Sequence, residues 1–364
     1  MKFYNPVRIF DENDCVKNHA KELTSFGRKA LVVTGKNSSF ANGSFDDVTG
    51  VLKASGIEYM VFSEVEENPS TETVFKAKEQ FCSEGIDHVI GIGGGSPMDA
   101  AKAIALVLKH PEADLDYLYD ASRDSSALPV ICVPTTCGTG SEVTGVAVLT
   151  RHDKRTKISM THKVFPQLAL IDGKYLKSAS QTLIINSSVD ALSHLIESVL
   201  NARSDDYVRM TAYAGLSIWS KTKDILTGRR EASEEDRALL MRASVLGGMS
   251  IAACGTSLPH ALSYILTYDL GLAHGRAVGY FLPRFVAAAP GKERDELLNL
   301  AGFTDVNDFE AFMSEVFGMQ EIPSEELTRA YEMVKSNPAK MRSASFDVDE
   351  NVLKKVVWGS DMLI

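Results

Sequence analysis

Short apolar runs alternate with segments of helical periodicity in the first part of the chain. We predict strands at residues 29–36, 57–65, 88–92 and 128–134, with helices between them. A charged turn predicts a hairpin over residues 147–160, and residues 167–172 predict a further strand. Strands that alternate with helices in this way are typical of a mostly parallel sheet.

The pattern changes near residue 178. Beyond this point a period of 3.6 residues dominates and runs of β-branched residues become rare, which is typical of helices. The sequence contains no internal repeat and no low-complexity linker. It therefore predicts an α/β domain over residues 1–178 and an all-helical domain over residues 179–364.

Three consecutive glycines follow the apolar run at residues 88–92. Gly93, Gly94 and Gly95 allow a sharp turn and a close approach of the backbone to a ligand. The usual dinucleotide fingerprint GxGxxG fails at its third glycine, which is Ser96 here, and the loop lacks the GK[ST] of a Walker motif. We expect an anion-binding loop, with an ordinary strand-to-helix turn as the alternative.

A helix is predicted to begin directly after these glycines. Ser96 is expected to cap it, Pro97 fits its first position, and Asp99 stands where the acid of a capping box would. Such a helix directs free N–H groups and the positive end of its dipole at the loop, which favours a phosphate.

A second loop of the same kind follows the strand predicted at residues 128–134. Its hydroxyl groups could donate hydrogen bonds to ribose or phosphate oxygens; they belong to Thr135, Thr136, Thr139 and Ser141. Loops rich in threonine and glycine are usually only loops. At the carboxyl end of a strand in an open α/β sheet, however, they lie where ligands bind.

Four residues late in the chain have the spacing and chemistry of a divalent-metal site. Asp190 and His194 are four residues apart in a helical segment, so both side chains leave the same face. His260 and His274 are separated by DLGLA, which predicts a turn between two helices. Three imidazoles and one carboxylate suit Fe²⁺ or Zn²⁺ and leave room for a substrate oxygen. A surface hydrogen bond within the Asp–His pair is the alternative.

The chain resembles the iron-dependent (group III) alcohol dehydrogenase family in three motifs and in the spacing of its late histidines. The motifs are GGGSPMDAAK, PTTCGTGSEVT and VDALSHLIE, and the match runs in order from about residue 5 to the C-terminus. The resemblance implies a dinucleotide-binding domain, an all-helical domain, and hydride exchange between a nicotinamide and an alcohol or aldehyde. This is the fold of the dehydroquinate synthase-like enzymes. It also implies Fe²⁺, with Zn²⁺ as the alternative, and a homodimer.

The cofactor is predicted to be NADP, with NAD as the alternative. Gly35 and Lys36 end the first long strand, Ser38 and Ser39 follow it, and no carboxylate appears until Asp46. Space, one positive charge and hydroxyl groups can accept a phosphate, although a solvated turn would have the same composition. The complete set of predicted cofactor-binding residues is Gly35, Ser38, Ser39, Asn68, Gly93, Gly94, Gly95, Ser96, Asp99, Thr135, Thr136, Thr139, Ser141 and Lys157.

The chain departs from the family at two places. Tyr264 stands where many members have a second histidine near the nicotinamide, and tyrosine is a poor proton shuttle near neutral pH. Ser187 and Ser188 stand where Thr-Gly is common before the liganding aspartate. No catalytic residue is therefore predicted beyond the metal ligands.

Composition narrows the remaining alternatives. A net charge of −10 and a pI near 5.4, without any basic block, argue against binding to nucleic acid or an anionic membrane. We expect no signal peptide, no apolar run long enough to span a bilayer, and free cysteines in a reducing cytoplasm. A dehydroquinate-synthase type of elimination, an NAD-linked glycerol or polyol dehydrogenase, and a non-catalytic binding protein remain as alternatives. The substrate, whether an alcohol, an aldehyde or a diol, stays open.

Overall fold

The computed structural model describes residues 3–319 and 321–359. These residues form two compact units, and one of them comprises Asn5–Ala179. The other contains Ser180 onward together with the first described residues of the chain. An α/β unit followed by a helical unit confirms the predicted fold class.

The α/β unit is built on a six-stranded sheet in which every pairing is parallel. The strands of the unit are β1 (Arg8–Asp11), β2 (Lys29–Gly35), β3 (Glu58–Val65), β4 (His88–Gly93), β5 (Val130–Pro134), β6 (Val148–Arg151), β7 (Thr156–Ser159) and β8 (Leu168–Ile171). The order across the large sheet is β1-β8-β5-β4-β2-β3. The sequence did not predict β1, because this four-residue edge strand is only partly buried and has no apolar run.

Central strands of this sheet are buried on both faces. All six residues of β4 and all five of β5 are buried, which accounts for their continuous apolar runs. The hairpin predicted over residues 147–160 is confirmed, since β6 and β7 pair in an antiparallel ladder.

Helices cover the sheet and fill the sequence between its strands. They are α1 (Cys15–Asn18), α2 (Ala20–Leu23), α3 (Ser38–Ala41), α4 (Ser44–Ala54), α5 (Thr71–Phe81) and α6 (Gly95–Lys109). α6 lies close against β4 because both surfaces are made of small residues. A Cβ built on Gly91 would be 2.9 Å from the Cβ of Ala101, which leaves no room for a larger residue on the strand.

Among the described residues of the second unit, every secondary-structure element larger than an isolated β-bridge is a helix. Its helices are α7 (Gln181–Val199), α8 (Asp206–Trp219), α9 (Lys223–Leu226), α10 (Glu234–Cys254), α11 (Leu258–Leu270), α12 (His274–Ala288), α13 (Gly291–Leu300), α14 (Val306–Phe317), α15 (Ser324–Lys335), α16 (Pro338–Met341) and α17 (Glu350–Trp358). α7 is the central helix, and α8, α10 and α12 pack against it. Gly215 of α8 and Gly247 of α10 bring those helices close, since a Cβ at either glycine would lie within 3.3 Å of α7.

By length and composition alone, α10 could cross a membrane. This corrects the expectation that no apolar run approaches that length. Half of its most apolar 18-residue stretch is buried within the unit, where α10 packs against α7 and α8. A buried core helix of a helical bundle meets the same length test.

Candidate functional site

α7 carries the first two predicted metal ligands. Its N-terminus is capped by Ser180, whose side chain accepts a hydrogen bond from the backbone N–H of Leu183. Asp190 and His194 lie one turn apart and are 3% and 5% exposed, so the expected common face of the helix points into the unit. The two side chains approach each other, with His194 Nε2 3.8 Å from Asp190 Oδ1.

Two further helices carry the other predicted ligands. His260 lies in the first turn of α11, directly after Pro259. α11 ends at Leu270 and Gly271 adopts a left-handed conformation with φ of 64°, so the predicted turn is present. α12 then begins at His274, whose side chain is 25% exposed and thus the most accessible of the four.

All three imidazoles converge on a single oxygen atom. The Nε2 atoms of His260, His274 and His194 lie 3.4, 3.7 and 3.8 Å from Asp190 Oδ1. Asp190, His260 and His274 each offer a ligand atom within 4.8 Å of the others. His194 completes the group by stacking on His260, with ring centroids 4.6 Å apart. The structure thus brings together the four residues that the sequence singled out.

The donor set fits a divalent cation. Asp190 Oδ1 and His260 Nε2 are buried, and within the described residues neither makes a hydrogen bond. Buried polar atoms without a partner are costly unless something satisfies them. One carboxylate and three imidazoles are ligands that Fe²⁺ and Zn²⁺ both accept.

The carboxylates and imidazoles of this centre shift each other's pKa values toward their charged forms. Burial raises the pKa of Asp190, but the neighbouring imidazoles of His194 and His274 outweigh it and hold that pKa well below its usual range. Burial lowers the pKa of His260, but the nearby carboxylates of Glu197 and Asp190 raise it to about 9. Because a liganding imidazole nitrogen must be unprotonated, a bound cation would displace a proton from His260.

One residue of this centre escaped the sequence analysis. Glu197 is fully buried on α7, and its Oε1 lies 2.5 Å from Nδ1 of His260. A signal was present, because Glu197 follows Asp190 by seven residues and therefore shares its helix face. A carboxylate on that face was available to support a ligand from another helix.

The two departures from the family have different surroundings. The ring of Tyr264 stacks on that of His274 at 6.2 Å between centroids, but this contact assigns it no role in proton transfer. Ser188 is buried, and its hydroxyl and carbonyl oxygens both accept hydrogen bonds from the indole N–H of Trp219. The serine that replaces the usual glycine therefore has a structural partner.

The helix after the glycines begins earlier than predicted. α6 starts at Gly95, with Gly94 as N-cap and no side-chain cap, so the assignment of Ser96 as N-cap is wrong and Pro97 is the third helical residue. The capping-box role of Asp99 is also wrong. Its carboxylate instead accepts hydrogen bonds from Ser141 Oγ at 2.5 Å and from the backbone N–H of Val148 at 2.9 Å. Without a side-chain cap, the first N–H groups of α6 remain available to an anion.

The three glycines are packed against the second loop. Gly93 has φ of 147°, a conformation that other residues rarely adopt. A Cβ on Gly94 would lie 3.1 Å from Oγ1 of Thr136, and one on Gly95 would lie 2.7 Å from Cγ2 of Thr139. Close packing inside the unit therefore accounts for all three glycines as well as a ligand would.

Not every hydroxyl of the second loop faces outward. Thr136 and Thr139 are partly exposed beside the glycines. Thr135 is buried, and its backbone N–H donates to the carbonyl of Gly93. The prediction that Ser141 binds the cofactor is wrong. Its hydroxyl is buried between Lys102 Nζ at 2.6 Å and Asp99, and so it is not presented to a ligand.

Asn68 joins three elements of the α/β unit. It has φ of 57°, its backbone N–H donates to Ser96 Oγ at 3.0 Å, and its carbonyl accepts from Thr150 Oγ1 at 2.8 Å. Lys157 Nζ donates to its side-chain oxygen at 2.9 Å. The structure therefore places Asn68 and Lys157, both predicted to bind the cofactor, next to the start of α6.

The loop after β2 is only partly available to a ligand. Lys36 and Ser38 are exposed, and Gly35 is partly buried. The prediction that Ser39 binds the cofactor is wrong. Ser39 is fully buried and its hydroxyl lies 2.5 Å from that of Thr34, so it faces the interior. A depression of about 510 Å³ adjoins the end of α3 and is lined by Ala41, Asn42, Lys174, Lys177 and Ser178.

Known proteins similar to this chain cover both units. A family described as "Iron-containing alcohol dehydrogenase" matches residues 6–173, and one described as "Fe-containing alcohol dehydrogenase family, C-terminal" matches residues 184–358. A crystal structure of an iron-containing alcohol dehydrogenase from Thermotoga maritima is 35% identical. It superposes with a TM-score of 0.90 and covers 98% of each chain.

Curated relatives are more distant and often longer. Aldehyde-alcohol dehydrogenase 2 of Entamoeba histolytica is 29% identical over 299 residues, which cover 78% of this chain and 34% of that protein. NADPH-dependent butanol dehydrogenase of Clostridium saccharobutylicum is 30% identical over 261 residues, with 71% and 66% covered. NADH-dependent butanol dehydrogenase B of Clostridium acetobutylicum is 29% identical over 279 residues, with 74% and 71% covered.

This chain therefore spans less than two thirds of the length of the first two relatives. The match to the Thermotoga structure, in contrast, covers 98% of both chains, and the two family matches together cover most of both units. The chain belongs to the iron-containing alcohol dehydrogenase family.

Proposed function

We propose that this chain is a metal-dependent oxidoreductase that exchanges a hydride between NADP(H) and a short-chain alcohol or aldehyde. The observation that carries the proposal is the convergence of three imidazole Nε2 atoms on Asp190 Oδ1 in a buried setting. Asp190, His194, His260 and His274 are the ligands in this proposal, with Fe²⁺ as the cation and Zn²⁺ as the alternative.

In this proposal the helical unit holds the cation and orients the substrate. A divalent cation, when bound, supplies Lewis-acid polarisation of a substrate oxygen, and a nicotinamide supplies or accepts the hydride. Asp190 contributes the one negative charge of the ligand set, which leaves net positive charge to attract an oxygen ligand. His274 is the least buried ligand, so substrate would approach the centre from its side.

The α/β unit binds the nucleotide in this proposal. The uncapped start of α6 offers backbone N–H groups and a positive dipole end to the pyrophosphate. Thr136 and Thr139 offer hydroxyl groups next to Gly94 and Gly95. Lys157 adds a positive charge beside this region, held in place by its hydrogen bond to Asn68.

The preference for NADP(H) rests on the loop after β2. Gly35 leaves space, and the exposed Lys36 and Ser38 supply a charge and a hydroxyl without any nearby carboxylate in the loop. Lys177 lines the depression beside α3 and adds a second exposed cation. The relatives described above include both NADPH- and NADH-dependent enzymes by name, so they favour neither nucleotide.

The nucleotide preference is tested by measuring kcat/KM with both cofactors. We expect a higher value with NADP(H), and we expect Gly35→Asp to reverse the preference by repelling the 2′-phosphate. The reversal should amount to roughly 1–3 kcal/mol, the worth of a charge-assisted contact. A tenfold advantage of the wild-type chain for NAD would refute this part of the proposal.

The substrate class is proposed more coarsely. Butanol dehydrogenases among the relatives support short-chain alcohols, and a lactaldehyde reductase that is 29% identical over 284 residues supports a diol or hydroxyaldehyde.

The two units are proposed as cofactor and metal domains, with the boundary near residue 178. We further propose that the chain forms a homodimer in the cytoplasm, where its cysteines stay reduced; within the described residues no disulfide is formed.

The whole proposal is tested by anaerobic purification with metal analysis, followed by a screen of C2–C6 alcohols, diols and aldehydes. Stoichiometric metal and metal-dependent nicotinamide reduction are the expected results. His274→Ala should lose most of the metal and most of the activity while the fold persists. Normal metal content and turnover in that variant would show that His274 is not a ligand.

A further inference from the structure

Glu197 is a fully buried carboxylate beside the candidate metal centre. It lies on α7, on the face that also carries Asp190, and its side chain reaches the first turn of α11. A buried carboxylate needs compensating donors, and the identity of those donors shows what Glu197 does.

Both oxygens of Glu197 are in use. Oε2 accepts a hydrogen bond from the backbone N–H of Ser257 at 2.5 Å, and Oε1 lies 2.5 Å from Nδ1 of His260. A backbone N–H can only donate and an ionised carboxylate can only accept. Oε1 therefore accepts from an Nδ1–H group of His260.

This arrangement determines which nitrogen of His260 faces the other ligands. With the proton on Nδ1, Nε2 is the nitrogen that can offer a lone pair. Nε2 points at Asp190 Oδ1 at 3.4 Å, and it has no hydrogen-bond partner in the described part of the chain. The same imidazole ring thus donates to Glu197 through Nδ1 and offers Nε2 to the proposed cation.

We infer that Glu197 is a positioning residue that fixes the tautomer and ring orientation of His260, so that Nε2 is presented to the cation. The inference rests on the proposed metal-binding function. Carboxylates that accept the second N–H of a liganding histidine raise its basicity, and their loss commonly weakens metal affinity 10- to 100-fold.

The surroundings of Glu197 separate this role from a purely structural one. The segment before α11 has other anchors: Asn201 Nδ2 donates to the Gly255 carbonyl at 3.1 Å, and Ser257 Oγ lies 2.9 Å from Ser343 Oγ. Lys340 is close enough for its pKa, lowered by burial, to be partly restored by the Glu197 charge. The loop therefore keeps contacts when Glu197 is changed.

Glu197→Gln has the same shape but cannot satisfy both neighbours. If the amide oxygen stays on the Ser257 N–H, the amide NH₂ faces Nδ1 and donates to it. The proton of neutral His260 then moves to Nε2, which can no longer bind a metal. If the amide oxygen faces His260 instead, two donors oppose each other at Ser257. Either arrangement weakens the presentation of Nε2.

The test measures Zn²⁺ affinity of the full chain by competition with a chromophoric chelator. Glu197→Gln should bind Zn²⁺ about 10- to 100-fold more weakly than the wild type. In the Zn²⁺-loaded wild type, ¹⁵N NMR of the His260 side chain should show a proton on Nδ1. The matched control is Asp236→Asn, which disturbs another buried carboxylate, the capping box of α10 and its pair with Arg230. It should lower stability without changing Zn²⁺ affinity.

The outcomes are distinguishable. Unchanged Zn²⁺ affinity in Glu197→Gln, or an Nε2–H tautomer in the loaded wild type, would overturn the role of Glu197 alone. An equal loss of affinity in Asp236→Asn would also overturn it, because the loss would then report lowered stability. A wild-type chain that binds neither Zn²⁺ nor Fe²⁺ would overturn this inference together with the proposed function.

Discussion

Gly275 of α12 lies directly against the backbone of α7 at Asn186. A Cβ built on Gly275 would be 1.8 Å from the carbonyl oxygen of Asn186, a distance that no side chain can occupy. The side chain of Asn186 also accepts a hydrogen bond from the backbone N–H of Arg276 at 3.1 Å. Because Asn186 precedes Asp190 by one turn and Gly275 follows His274, this crossing sets the distance between two proposed ligands.

We predict that Gly275→Ala displaces α12 and weakens the metal centre. The added methyl group meets backbone atoms that cannot rotate away, so the helices must separate at the point where His274 faces Asp190. Overpacking of this kind costs about 1–3 kcal/mol of unfolding free energy. The free energy of unfolding, measured by urea titration, and the metal stoichiometry should both be lower than in the wild type.

Gly279→Ala is the control on the same helix. A Cβ there would meet side-chain atoms, Phe317 Cε2 at 3.0 Å and Val189 Cγ1 at 3.2 Å, which can shift. Metal content should therefore stay near that of the wild type in this variant. If Gly275→Ala also retains full metal content, the close crossing does not position His274.

The four proposed ligands could be found from the sequence because their spacing is local. Asp190 and His194 are placed by one helical turn, and the turn at Gly271 relates His260 to His274. Nothing local shows that Gly275 touches Asn186, since that contact depends on how two helices cross. Tertiary contacts of this kind are invisible to periodicity.

Side-chain orientation in the loops was equally hard to predict. Hydroxyl groups of Ser39 and Ser141 look like ligand donors in the sequence, yet they bond to Thr34 and to Lys102 and Asp99 inside the unit. A loop residue has no periodic pattern from which burial can be inferred. The glycines at the end of β4 and the start of α6 were predicted to let the backbone approach a ligand, and no periodic pattern indicated that Gly94 and Gly95 lie close to Thr136 and Thr139.

Gly94→Val is predicted to lower nucleotide affinity more than metal content. Its Cβ would lie 3.1 Å from Thr136 Oγ1, and its branches would extend over the start of α6, where the pyrophosphate is proposed to bind. Thr136→Ser in the Gly94→Val background keeps the hydroxyl group proposed to face the nucleotide but removes the methyl carbon that lies 3.2 Å from that Cβ, so it should recover stability without restoring NADP(H) binding. Nucleotide titration and urea unfolding of the three proteins measure the two effects separately. Parallel recovery of stability and binding would show that Gly94 matters only for packing.

His88 is predicted to destabilise the chain in acid. It is fully buried at the start of β4, and within the described residues neither ring nitrogen has a hydrogen-bond partner. Burial lowers its pKa to about 4, although Asp87 opposes the shift. The unfolded chain therefore binds the proton first, and stability is lost as pH falls from about 6.5 to 4, by up to about 3 kcal/mol.

His88→Leu removes this group, so the stability of the variant relative to the wild type should increase steadily as pH falls through that window. The difference should be constant above pH 7. Urea unfolding of both proteins between pH 4 and pH 8 measures it. A difference that does not change with pH would mean that His88 is accessible to protons in the folded chain.

Glu142 should act in the opposite direction. It is 1% exposed, its Oε1 has no hydrogen-bond partner in the part of the chain that the structure describes, and burial raises its pKa to about 7 despite its own backbone N–H and Lys102. The folded chain retains this proton longer than the unfolded chain. Stability is therefore greatest below about pH 4.5 and is lost as pH rises to 7, by up to about 3 kcal/mol.

Glu142→Gln keeps the shape of the protonated side chain and removes its ionisation. Its stability relative to the wild type should rise between pH 4.5 and pH 7 and remain constant above that, a slope opposite in sign to that of His88→Leu. The wild-type contributions of the two groups largely cancel between pH 4.5 and 6.5, because one gains stability with pH while the other loses it. Measuring both variants over the same pH series separates them, and slopes of the same sign would show that one of these carboxyl or imidazole groups is not buried as the structure places it.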